Sequence, residues 1–190
     1  CKNYAATKGI TLNGQVFLAG YSEGGYVTLA AHKEIEQNYK NEITVTASSP
    51  MACAYDLNLT ARTILQKSTY DQPAYLSFFF VAYNSIYNWG KINDVFNSPY
   101  AEKITSLFDG TKTTDQINSS LTSSINLLFK QSFITSYLNG NETAITSAFA
   151  DNSLLNWTPT APIRFYHGNA DEYVPYENST SARDYFKAHG

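Results

Sequence analysis

Residues 18–32 read LAGYSEGGYVTLAAH, and the fold turns on how this stretch divides. Just upstream and overlapping it, Val16-Phe17-Leu18-Ala19 is a short apolar run without polar alternation, the pattern of a strand buried on both faces of a parallel sheet. It ends at Gly20. From Gly24 to about Tyr39 the apolar residues Val27, Leu29, Ala30 and Ile35 stand between charged ones, which predicts a helix. A strand, a tight turn and a helix therefore follow one another, with Ser22 on the turn between Gly20 and Gly24.

A serine hydroxyl is a poor nucleophile until a base takes its proton, and it must stand clear of the backbone for a carbonyl to approach. A sharp strand-to-helix turn meets that need. Gly20 and Gly24 are expected to be small because strand and helix pass close together there. The backbone N–H of Glu23, at the start of the helix, would face the developing oxyanion. A G-x-S-x-G pattern also arises without function; the apolar strand before it and the helix after it favour the catalytic reading.

Outward from the turn, Ile43 to Ser48 is β-branched and closes at Pro50, so a second strand is expected. Ile163 to Tyr166 follows Pro162 and ends at His167-Gly168, giving a third, and Asn178 to Ala188 reads as a helix. Between them, from Tyr55 to Thr160, apolar residues recur at helical spacing, as in Leu121, Ile125, Leu128, Phe129, Phe133, Ile134 and Leu138. Thr113 and Gln116 could open one of these helices as a capping box. The expected organisation is α/β: a partial core over 1–54, an all-helical insertion over 55–160 that suggests a cap over the site, and a return to the core over 161–190.

With 190 residues the chain is long enough for one domain with a substantial core. The formal charge of −3, with the basic residues scattered, offers no footprint for nucleic acid or anionic lipid. The longest apolar run, Ala74 to Tyr83, is about half of what a membrane-spanning helix needs. Cys1 and Cys53 make neither a disulfide framework nor a metal site, and no cofactor is implied. The richness in Tyr, Asn, Ser and Thr leans toward an exported protein, secreted or periplasmic. Sequons at Asn58, Asn118, Asn141, Asn156 and Asn178 are expected in so Asn-, Ser- and Thr-rich a chain without glycosylation.

Pro162 to Pro175 reads PIRFYHGNADEYVP, a strand leading into a loop that carries Asp171. A catalytic triad needs a carboxylate at the C-terminal edge of the sheet that bears the serine, to orient and stabilise an imidazolium. Asp171 is in that place, with Glu172 as its rival, whereas Asp109 in LFDG reads as an ordinary turn aspartate. His167, at the end of the strand, reads as a loop residue able to hold Asp171 in position. His32 reads as part of the helix packing.

On GYSEGG and HGNADEYVP the chain resembles the α/β-hydrolase superfamily, and its long helical insertion resembles that of the secreted lipase and esterase branch. The resemblance implies the order nucleophile, acid, histidine: Ser22, then Asp171, then a histidine after one more helix and strand. His189 stands at the helix end, before that strand would begin, and matches the position poorly. Several strands precede the nucleophile strand in that family, and Cys1 to Gly14 has room only for one helix. The chain thus reads as a fragment, about the C-terminal half to two-thirds of a typical member, carrying a nucleophile and an acid without the triad histidine. A sparse parallel core would leave apolar edges unpaired, which predicts a homo-oligomer.

Three functions compete. One is a serine carboxylic ester hydrolase acting through an acyl-enzyme on a small or lipid ester, with Tyr55, Phe78, Phe79 and Phe80 as candidate pocket lining or as plain helix packing. A second is a serine peptidase of the same fold, which would need an anchor for the peptide that the sequence does not display. A third is a noncatalytic binding or structural piece.

Overall fold

In a computed structural model of the chain, which describes residues 2–189, the elements run α1 (Lys2–Thr7), β1 (Phe17–Tyr21), α2 (Glu23–Asn38), β2 (Ala47–Met51), α3 (Leu57–Leu65), α4 (Pro73–Ile86), α5 (Ile92–Val95), α6 (Tyr100–Leu107), α7 (Thr114–Ser120), α8 (Ile125–Leu128), α9 (Gln131–Leu138), α10 (Thr143–Asp151) and α11 (Glu177–His189). The chain forms two compact units, one made of residues up to Tyr55 and again from Leu154, the other of Asp56–Ser153. Cys1 lies outside the described residues.

In the first unit β1 and β2 pair in parallel, from Phe17 opposite Ala47 to Tyr21 opposite Met51. The second strand thus begins four residues later than expected and runs through Pro50 instead of stopping before it. Segment 163–166 adds only two parallel bridges to β2, Ser48 with Ile163 and Met51 with Tyr166, in place of the third strand expected. Pro50 is the reason. Ser48 N–H donates to Pro162 and Ala52 N–H to Tyr166, so the intervening ladder bond belongs to residue 50, and proline has no N–H to give. The Ser49 hydroxyl takes over part of that role, donating to the Arg164 carbonyl at 3.1 Å.

β1 also departs from expectation in being covered on one face only. Phe17 and Tyr21 are exposed, while α2 packs against the other face. The core beneath α2 joins Leu29, Cys53, Tyr55, Leu154 and Trp157 to Ala182 and Phe186 of α11, with Ile163 and Phe165 packed against them. Val27, expected on the buried side of α2, is exposed, and the sheet-facing residues are Gly25, Thr28, Leu29 and His32.

The second unit is helical, and no strand occurs among its described residues. Phe80 anchors it, with its ring against Phe129, Phe133, Tyr137 and Phe149 at 5.2–6.1 Å. Ile125, Leu128, Phe129, Phe133 and Ile134 are buried, as their spacing predicts. The capping box forms as well: Thr113 Oγ1 accepts from the Gln116 amide and Gln116 Oε1 from that of Thr113. Among the described residues no helix is long and apolar enough to cross a membrane.

Candidate active site

Tyr21, Met51 and Tyr166 lie side by side at the C-terminal edge of the sheet. Just beyond them, Ser22 N–H donates to the Met51 carbonyl and Ala52 N–H to that of Tyr166, each at 2.9 Å. The residue that leaves β1 and the loop that leaves segment 163–166 are therefore tied to the same strand by main-chain bonds.

Ser22 has φ 55° and ψ −123°, a conformation that L residues rarely adopt. Such backbone costs about 1–3 kcal/mol and persists only where the surroundings enforce it. Here they do: its N–H is held by Met51, and its carbonyl accepts from Gly25 N–H at 2.9 Å and Tyr26 N–H at 3.2 Å to start α2. Ser22 occupies the N-cap position of α2, yet its hydroxyl makes no capping bond. Serine usually stands at an N-cap because its oxygen satisfies a helix N–H, so this one is aimed elsewhere. Glu23 opens α2, and as its first residue its backbone N–H has no acceptor one turn back within the helix.

The glycines divide unexpectedly. A Cβ on Gly20 would lie 2.0 Å from the Gly24 carbonyl oxygen and 2.5 Å from Thr28 Oγ1, so the closeness expected there is real. A Cβ on Gly24 would meet nothing within 4 Å, so the spatial argument for a glycine at that position fails. Gly25 carries the constraint instead, with a Cβ falling 2.6 Å from the Met51 carbonyl oxygen and 3.1 Å from Cys53 Cβ. The helix phase that places Gly25 with Leu29 and His32 toward the sheet was the signal for this.

Asp171 is half-buried on its loop. Its Oδ1 accepts from the Tyr173 and Val174 amides at 2.9 and 3.0 Å, and its Oδ2 lies 3.2 Å from His167 Nε2. The neighbouring Glu172 is exposed. Asp109 sits in an exposed turn, where the hydroxyl and amide of Thr111, then Lys112, hold its carboxyl down to about 2.

None of the three histidines presents a free ring to Ser22. His32 is fully buried, with Nδ1 2.8 Å from Ser48 Oγ, Nε2 3.0 Å from Glu36 Oε1, and its ring edge on Trp157. Burial by itself would raise the Glu36 carboxyl, but the Thr160 and Ala161 amides, with His32, outweigh it and hold the group below the usual carboxylate range. His189 bonds the Tyr185 carbonyl on its own helix and stacks on the Tyr185 ring. His167 is spoken for by its own loop.

Of the candidate lining residues, Tyr55 is fully buried in the sheet unit, with its hydroxyl on the Pro50 carbonyl and its ring against Phe165. Phe80 is core of the helical unit, Phe79 is partly buried against Phe149, and only Phe78 is exposed. Tyr55 and Phe80 are thus packed in the interiors of their units. Burial also pushes the Cys53 thiol up, so it stays protonated. Among the described residues no group of three His, Cys, Asp or Glu could hold a metal ion. Of the sequons, Asn178 is wholly buried and is no acceptor in the folded chain.

The sequence model of the secretory lipase family matches residues 2–190. Among solved structures, the rice cell wall degrading esterase LipA of Xanthomonas oryzae is similar over all of this chain and 52% of its own, with 26% identity and a TM-score of 0.86. A Legionella pneumophila protein shares the fold at 24% identity and a TM-score of 0.86, over 100% of this chain and 51% of its own. Candida antarctica lipase A, in its closed state, shares it at 16% identity and 0.70, over 98% and 44%. No curated protein matches the chain. The chain spans about half the length of the first two of these structures. It belongs to the secretory lipase family, with a partial α/β-hydrolase fold and a long helical insertion.

Proposed function

We propose that this member of the secretory lipase family carries the nucleophile and the acid of a serine carboxylic ester hydrolase. The observation that carries the reading is Ser22: a non-glycine residue held at φ 55° on the strand-to-helix turn, at an N-cap, with its hydroxyl not spent on the cap. In the reaction Ser22 Oγ bonds to the ester carbonyl carbon as a base removes its proton. The carbonyl oxygen takes up negative charge beside the Glu23 N–H and the N-terminus of α2. Collapse breaks the bond to the alcohol oxygen, which receives the proton, and leaves an acyl-serine that water then hydrolyses.

Asp171 is the acid that orients the base. His32, His167 and His189 each hold partners other than Ser22, so the reading assigns the base to none of them. The chain alone is accordingly expected to be a poor catalyst. The similarity to an esterase supports ester over peptide bonds, and the family supports a secreted protein.

The test is reaction of the chain with a fluorophosphonate, read by intact mass against Ser22→Ala. Supplying imidazole as a diffusible base should raise labelling of the parent chain and leave the variant unlabelled. Equal labelling of both would sink the assignment of Ser22.

A further inference from the structure

We infer that His167 is a positioning residue for the acid, its Nε2–H holding the Asp171 carboxylate in place. The inference rests on the reading of Asp171 as the triad acid and adds a residue that acts through it.

The His167 side chain is 1% exposed, so water supplies neither of its hydrogen bonds. Nε2 faces two oxygens, the Val174 carbonyl at 3.0 Å and Asp171 Oδ2 at 3.2 Å. Both only accept, so a bare Nε2 would put three lone pairs against one another in a dry site; the proton must be on Nε2. Nδ1 lies 2.7 Å from Ser179 Oγ on the first turn of α11, and a hydroxyl can donate to it. A hydroxyl can equally accept there, so Nδ1 is satisfied either way, and Nε2–H is shared between Val174 and Asp171. The edge of the ring also packs against Tyr176, which fixes its plane.

The consequence for Asp171 is specific. Its Oδ1 is held by two main-chain amides of its own loop, which alone leave the carboxylate free to swing about that oxygen. His167 pins the second oxygen. A carboxylate gripped at both oxygens keeps one orientation, which a group that must aim an imidazolium requires. Ser179 extends the chain of contacts into α11, so the helix that follows the loop sets the direction of the acid.

The experiment is nitrogen-15 NMR of the histidine rings in the chain as it stands, with amide exchange at Tyr173 and Val174. The expected result is a His167 ring protonated at Nε2. In His167→Leu, exchange at the two amides should quicken by about tenfold, as expected for loss of one charge-assisted bond in a partly exposed loop. His167→Gln, whose side-chain amide can reach Asp171, should restore protection to within about threefold. The Gly25 amide reports that the unit is folded in each variant. A bare Nε2 overturns the inference, as does His167→Leu with unchanged amides. So does His167→Gln behaving like leucine, which would mean that the ring only fills space. Should His167→Leu not fold, Asp171→Asn serves: the His167 Nε2 resonance must shift in it, and an unmoved resonance overturns the inference. None of these signals needs Ser22 to react, so failure here and failure of the ester-hydrolase reading are told apart.

Discussion

Replacing Gly20 by alanine tests whether the strand-to-helix turn is held as closely as its geometry indicates. The added methyl would sit 2.0 Å from the Gly24 carbonyl oxygen, 2.4 Å from its carbon and 2.5 Å from Thr28 Oγ1. Ordinary contact needs about 3.5 Å, so α2 would have to withdraw from β1 by more than about 1 Å. Two of the three atoms met are backbone, which no rotamer change can move. Overpacking of this kind costs about 1–3 kcal/mol, and the upper end applies here, since α2 is also held to β2 at Gly25. With a urea slope of about 2 kcal/mol per molar, the midpoint should fall by roughly 1–1.5 M. Trp157, buried beside His32, reports the unfolding of this unit by fluorescence once Trp89 is changed to Phe. The control is Gly24→Ala, where the methyl meets nothing within 4 Å and a helical glycine is relieved. It should raise stability by about 0.5–1 kcal/mol. A Gly24→Ala variant as damaged as Gly20→Ala, or a Gly20→Ala variant that loses less than about 1 kcal/mol, would refute the steric account.

Three further outcomes follow from the same contacts. Ser22→Gly should stabilise the chain by about 1 kcal/mol in urea titration, because glycine relieves the left-handed φ, whereas Ser22→Ala should not. Glu36→Gln should cost about 1–2 kcal/mol at pH 7 through its weaker bonds to the Thr160 and Ala161 amides. Because the Glu36 carboxyl is held below its usual value, that contribution is complete above the ordinary carboxylate range near pH 4.3 and is lost as the pH falls through the folded-state value. The parent and variant curves should therefore converge in acid, and curves that stay parallel down to pH 2.5 would contradict the assignment. Phe80→Ala should cost about 3–5 kcal/mol by thermal or urea unfolding, while Phe78→Ser changes little, as befits one packed and one exposed ring.

What could be read from the sequence was whatever local pattern decides. The apolar run before Ser22 and the charged periodicity after it announce a strand and a helix, and Asp171 announces its loop by following the run Ile163 to Tyr166. The helical insertion is equally plain, since its apolar residues keep a 3.6-residue period. Pro50 was misleading because a proline reads as a stop. Its missing N–H points at segment 163–166, so the cost falls on the third strand, which is reduced to two bridges, and β2 continues through it. Gly24 and Gly25 are adjacent, and only the rotational phase of α2 says which of them meets the sheet. Ser48, Glu36 and Ser179 could not be singled out, because their partners lie 12 or more residues away in most cases and nothing in their neighbourhoods marks them.

The two bonds at the sheet edge, Ser22 N–H to Met51 and Ala52 N–H to Tyr166, use no side-chain atom. The separation between Ser22 and the start of the loop that carries Asp171 is set by strand spacing, a quantity common to every polypeptide. Spacing held this way does not depend on most side chains, which is how two chains sharing 26% of their residues can superimpose with a TM-score of 0.86.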